Sequence, residues 1–172
     1  KYAGFEETGD EHRVVLQGLD FGTFTLTIDE IVGDAIASST SFIDIPVTPI
    51  TKGEVRLTNL EQAPILMLDV NGDGIFDAEL SPSQSFDPRQ FIELLRKTVI
   101  SFEVSGELES KILHALDKVL NFWESGKINQ IENEIKMLNN SLQAFVNIPK
   151  KEISSEEARA LVNLLSQLLI RF

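Results

Sequence analysis

The chain has 172 residues, 27 acids against 15 bases, a formal net charge of −12 and no cysteine. This excludes disulfides and thiolate metal sites and argues against nucleic acid or anionic membrane as partners. The length suits one medium domain or two small ones, and no apolar run approaches the ~18 to 20 residues of a membrane span.

The chain begins at Lys1 without Met or a signal sequence, as expected of a mature or excised product. Its charge is uneven. Residues 1–88 hold sixteen acids against four bases (Lys1, Arg13, Lys52, Arg56), whereas residues 89–172 hold eleven of each. The excess negative charge therefore sits in the first half. That predicts a two-domain chain with a boundary near residue 87, and an acidic half that favours cations.

The first half has period two. In "GTFTLTI", Phe24, Leu26 and Ile28 alternate with Thr23, Thr25 and Thr27, the pattern of a half-buried strand. "RVVLQGL", "SFIDIPV" and "EVRL" are further strand candidates, and "PILML" (Pro64 to Leu68) reads as a strand buried on both faces. Turn residues separate them at Thr8-Gly9-Asp10, Asp20-Phe21-Gly22, Gly33-Asp34 and Lys52-Gly53. Short strands at this spacing predict an antiparallel β-sandwich over residues 1–80, partial because five strands are few for a closed one.

Directly after the last strand comes "DVNGDGIFD", residues 69–77. Calcium takes about six to eight oxygens, and a short loop delivers them when alternate side chains turn inward. Asp69, Asn71 and Asp73 occupy positions 1, 3 and 5. Gly74 at position 6 permits the sharp turn, Ile75 at position 7 offers its backbone carbonyl and anchors the loop to the core, and Asp77 takes position 9. This follows the EF-hand order up to position 12, where Leu80 replaces the bidentate Glu and Glu79 stands one residue early as an extra candidate ligand. Pro82 argues against an exit helix. The loop is similar to short DxNxDGxxD loops in β-rich and repeat proteins outside the cell. The competing reading is a solvated Asn-Gly/Asp-Gly turn that binds nothing.

Residues 81–87 read as a linker, and residues 88–172 as an antiparallel four-helix bundle. Asp87 as N-cap, Pro88 at N1 and Gln90 at N3 open the first helix with a capping box. Phe91, Leu94, Leu95, Thr98 and Phe102 share its apolar face. A second helix follows Ser105-Gly106, carries Leu108, Ile112, Ala115, Val119 and Phe122, and ends at Gly126. Ile128, Ile131, Ile135, Leu138, Leu142 and Phe145 form the seam of a third. The fourth starts from Ser154 as N-cap with Glu157 at N3, and continues through Ala158, Leu161, Leu165 and Leu168. Arg89, Arg96 and Lys97 at the head of the helical half are the expected positive neighbours of the acidic half.

Nothing in the sequence assembles a catalytic group. His12 lies among acids and reads as exposed, and His114 reads as the edge of a helical bundle. No G-x-S-x-G elbow or phosphate-cradling glycine loop occurs. Tyr2, Phe5, Phe21 and Trp123 are candidate sugar platforms, but strand residues and a bundle cap are the simpler reading.

Two stretches resemble known families. "YAGFEETGDEHRVVLQGLDFGTFTLTI" resembles the closing strands of β-sandwich modules near the C-termini of large secreted bacterial and archaeal proteins. There a Tyr-x-Gly segment leads to "G-x-G-x-G-T-F/Y-T-L". Here residues 18–26 read "GLDFGTFTL", with the first half of the glycine pattern changed. The likeness runs to about residue 80 and takes in "DIPVTPITKGEV" and "LDVNGDG". Residues 88–172, with "FEVSG" at 102–106 and "ESGK" at 124–127, are similar to the helical FIMAH module of extracellular bacterial enzymes. The resemblance implies a non-catalytic accessory region of an extracellular or cell-surface protein, with an upstream domain of the same polypeptide as partner; calcium as cofactor is the expectation from the spacing of residues 69–77. A carbohydrate- or cell-wall-binding module is the alternative, and an uncharacterised hydrolase fragment the third reading.

Overall fold

A computed structural model describes residues 12–57, 63–102, 104–147 and 152–172. The period-two segments become β1 (His12–Gln17), β2 (Gly22–Val32), β3 (Ala35–Val47), β4 (Lys52–Leu57), β5 (Leu66–Asp69) and β6 (Ala78–Leu80). Alternation sets which side of each strand is buried. Val14 and Leu16 of β1 pack against the sheet core while Val15 between them is 62% exposed. Phe24, Leu26 and Ile28 of β2 face the same core, and Thr25, Thr27 and Asp29 face water.

The expected β-sandwich is not what these strands build. β1 pairs with β4 and not with β2, giving an antiparallel four-stranded sheet in the order β1-β4-β5-β6. β2 and β3 pair only with each other, as a separate two-stranded ribbon. A sandwich needs two sheets of inward-facing side chains along their length. The ribbon supplies them only in its inner half, through Phe24, Leu26, Ile28, Phe42 and Ile45. Residues 31–39 are exposed throughout. The ribbon's register shifts between Phe24 and Leu26, where Asp44 takes a left-handed φ of 53°, and the Asp44 N–H donates to Thr25 Oγ1 at 3.2 Å.

Four helices follow: α1 (Pro88–Ser101), α2 (Gly106–Glu124), α3 (Ile128–Asn147) and α4 (Ser155–Ile170). The Asp87 side chain accepts from the N–H groups of Arg89 and Gln90 and so caps α1. No reciprocal bond from the Gln90 side chain is present among the described residues. Ser154 and Glu157 do make the full reciprocal box at α4. The helices share one core that includes Phe91, Leu95, Ile112, Leu116, Ile131, Ile135, Leu142, Leu161 and Leu165. Each helix packs on the next, and α1 also meets α4.

The apolar face of α1 is divided. Phe91 and Leu95 enter the helical core, but Leu94 is buried in the sheet core with Phe42, Ile45 and Leu66. Several contacts reinforce this junction. Phe21 meets Phe102 edge to face at 6.2 Å, and Phe86 meets Phe91 at 5.5 Å. The Ser83 N–H donates to the Ser41 carbonyl at 2.9 Å. Arg171, just beyond α4, pairs with Asp44 and lies over the Phe86 ring at 5.7 Å. Arg171, and not the three bases at the head of α1, thus supplies the positive charge to the ribbon. Arg89 pairs with Glu124, and Arg96 with Asp117 and Glu93, all within the helical half.

Candidate metal centre

The nine residues from Asp69 to Asp77 leave β5 and return to β6. Asp69 closes β5 and is 2% exposed. Its Oδ1 accepts the Gly72 N–H at 2.6 Å and its Oδ2 the Gly74 N–H at 2.9 Å. Both glycines have left-handed φ, 78° and 90°, where a side chain is strained. A β-carbon on Gly72 would also lie 3.1 Å from the Ile50 carbonyl oxygen. Glycine is thus what lets the loop fold down over a buried carboxylate.

The other side chains brace the loop in turn. Asn71 Oδ1 accepts the Asp73 N–H at 3.0 Å, and its Nδ2 donates to Asp73 Oδ2 at 3.1 Å. Asp73 Oδ1 accepts the Ile75 N–H at 2.8 Å. Asp77 brings the chain back: its N–H donates to the Leu68 carbonyl at 2.7 Å, and its Oδ2 accepts the Val70 N–H at 2.7 Å and the Asn71 N–H at 3.4 Å. Asp69, Asn71, Asp73 and Asp77 therefore belong to one hydrogen-bonded loop.

Two expected members stand differently. Glu79 is exposed in β6, opposite Met67, and takes no part in the hydrogen bonds of the loop. The Ile75 side chain is 68% exposed and anchors nothing, so only its carbonyl stays a candidate. Val70, 3% exposed within the sheet core, holds the loop down instead. Sequence reasoning missed Lys52, which lies directly opposite Asp69 in the β4–β5 register. Only the strand pairing brings it there.

Among the described residues, no three His, Asp or Glu side chains gather closely enough to hold a metal ion by themselves. The carboxylates bond the loop's own N–H groups. The donor set is nonetheless all hard oxygen, which suits a calcium-class ion. Asp69, Asn71, Asp73 and Asp77 side chains and the Ile75 carbonyl are the groups that would hold it.

The other candidates resolve separately. His12 is half-buried, not exposed, because it shares the inward set of β1 with Val14 and Leu16. His114 is exposed on α2. Trp123 packs partly buried against the helical core. Tyr2 and Phe5 lie outside the described residues. A cleft of about 370 Å³, bounded by Leu19, Phe21, Phe24 and Lys52, opens beside the β1–β2 turn. No helix among the described residues is long and apolar enough to cross a membrane. No family model matches the chain, and no match was found among curated proteins or solved structures.

Proposed function

We propose that the chain is a calcium-stabilised, non-catalytic accessory region of a secreted or cell-surface protein, acting as a spacer, attachment or interaction unit beside an upstream domain. Asp69 carries the calcium reading. The residue is 2% exposed, its carboxylate accepts from the Gly72 and Gly74 N–H groups, and no ion pair to Lys or Arg is shown among the described residues. A buried carboxylate is ordinarily paired with a base or bound to a metal. Two backbone N–H groups satisfy some of its oxygen lone pairs, and an ion would use the rest. The alternate oxygens of Asn71, Asp73 and Asp77 complete a set of hard donors. Calcium is plentiful outside cells, which ties the metal to the location. The accessory role draws on the likeness of residues 88–172 to the FIMAH module.

A loop of this kind binds calcium at roughly 10⁻⁵ to 10⁻³ M. At a hundredfold excess over Kd the ion stabilises the fold by about 2.7 kcal/mol, or a rise in Tm of about 5 to 11 °C. Differential scanning calorimetry in calcium and in EDTA reads this directly. The double change Asp69→Ala plus Asp73→Ala erases the difference. An equal Tm in calcium and EDTA for the unaltered chain refutes the metal.

A polysaccharide-binding module is the second reading, for which the partly open cleft beside Phe21 is the place to look. Glycan-array binding that is lost in Phe21→Ala supports it.

A further inference from the structure

We infer that Asn71 is a site of spontaneous covalent modification: the Gly72 nitrogen closes on the Asn71 side-chain amide, and the cyclic imide that forms opens in water to aspartate or isoaspartate. Asparagine amides are chemically labile. Their fate in a folded chain depends on whether the next backbone nitrogen can reach the side chain. A following Gly favours this, because it brings no β-carbon to obstruct the approach. Asn71 is followed by Gly72, and no other Asn-Gly pair occurs in the chain.

The fold singles out the same residue. Among the described residues, every other asparagine lies within α2, α3 or α4. There the backbone is fixed in the helical ladder, and the following nitrogen is held along the helix axis. Asn71 sits in the loop between β5 and β6 and is exposed, so water reaches it.

Two hydrogen bonds of the loop suit the chemistry. The Gly72 N–H, on the attacking nitrogen, donates to the buried Asp69 Oδ1 at 2.6 Å. The Asp73 N–H donates at 3.0 Å to Asn71 Oδ1, on the carbon under attack. As the new N–C bond forms, the nitrogen's proton leaves along the first bond, and the second stabilises negative charge on Oδ1. The Nδ2 group takes up that proton and departs as ammonia, leaving a five-membered imide. Water then adds to either carbonyl of the ring. One opening gives aspartate at position 71. The other gives isoaspartate, whose main chain runs through the former side chain and is longer by one carbon. Water is the only co-reactant.

The isoaspartate product changes the loop. The lengthened chain draws the Gly72 N–H away from Asp69 Oδ1. The buried carboxylate then keeps the Gly74 N–H and loses its other partner, and a buried acceptor left short of a donor is costly. The loop over Asp69 loosens as a result.

Incubation of the whole chain at mildly alkaline pH, followed by peptide mass spectrometry, tests this. EDTA is present throughout, which keeps the measurement independent of the calcium reading. A parallel sample in guanidinium chloride, where every asparagine is unfolded, sets the time point at which the reaction is visible. In the folded chain the amide-to-acid mass gain accumulates at position 71 and at no helical asparagine, and isoaspartyl methyltransferase labels the product. Asn71→Gln keeps an amide in the loop but must close a larger ring, and both signals are lost. The Gly72 amide resonance shifts in the isoaspartyl fraction. Absence of conversion at position 71 in the folded chain overturns the inference, as does conversion spread equally over the helical asparagines. An isoaspartyl fraction whose Gly72 resonance is unmoved overturns the effect on the loop.

Discussion

Leu94→Ala is the sharpest probe of how the helices meet the strands. Leu94 belongs to α1, yet it is buried among the residues of the sheet core, with only 2% of its surface exposed. Truncation removes most of an apolar side chain and leaves a cavity between two elements that cannot both relax into it. Such changes cost about 2 to 5 kcal/mol. The position shares a core with residues of both sheets, so about 3 kcal/mol is the expected loss. For a chain of this size that corresponds to a fall in Tm of about 6 to 12 °C. Urea unfolding is the assay, followed by far-ultraviolet circular dichroism and by the fluorescence of Trp123. This tryptophan is the only one in the chain and sits in α2, away from the mutation. Both signals should shift together by the same amount, because α1 contributes to both cores. A loss below about 1 kcal/mol would mean that Leu94 is solvated in solution and that the junction is not packed. A shift in one signal alone would mean that the strands and the helices unfold as separate units.

Gly18→Ala places a β-carbon 2.0 Å from the Thr48 carbonyl oxygen; the expected loss is about 3 kcal/mol or more, read as a lower urea midpoint, and unchanged stability would refute the close approach. Arg171→Ala strips Asp44 of its ion pair while the guanidinium is itself 44% exposed, so the expected cost is about 1 kcal/mol, checked against the Arg171→Lys variant, which keeps the charge. Lys52→Gln removes a positive charge opposite Asp69 and should tighten calcium binding severalfold by calorimetric titration. Glu107 is held below its ordinary value of 4.5 by the hydrogen bond and charge of Lys111. Its contribution to folding is present above the unfolded value and is lost as the pH falls through the lower folded one, and carbon-detected titration should show its midpoint rise in Lys111→Ala.

The strand letters and the pairing were legible to different degrees. "GTFTLTI" lies inside β2 because Phe, Leu and Ile alternate with Thr, and its side chains face as the alternation requires. The outer half of β3 went unread, since "AIASST" offers small residues with weak strand preference; the Gly33-Asp34 turn and pairing with β2 make it a strand. β6 has three residues, too few to show a period, so Glu79 read as part of the loop. Which strands pair is a long-range fact. The letters of β1 do not say that it skips the hairpin to reach β4, and the sandwich was lost at that point. The helices were readable because their stripes are long, but the division of the α1 face between Leu94 and Leu95 was not. Adjacent apolar residues on one helix look alike until their neighbours are known. In the candidate loop, spacing gave the order of Asp69, Asn71, Asp73 and Asp77, while the outward Ile75 and the opposing Lys52 depended on packing and register.

The order of pairing along the chain also orders events in time. β2 and β3 are joined by a tight turn, so the ribbon can zip as a local hairpin on the microsecond scale. The pairing of β1 with β4 must enclose that hairpin and so waits on a longer loop closure. The contact of Arg171 with Asp44 spans most of the chain and waits on the docking of α4 against the ribbon. Because contacts distant in sequence slow folding, an early species should hold a finished ribbon and nascent helices with an unclosed four-stranded sheet. In pulse-labelling hydrogen exchange, the amides of Phe24 to Ile28 would then be protected before those of Val14 to Leu16, and the step that seats Arg171 would come last.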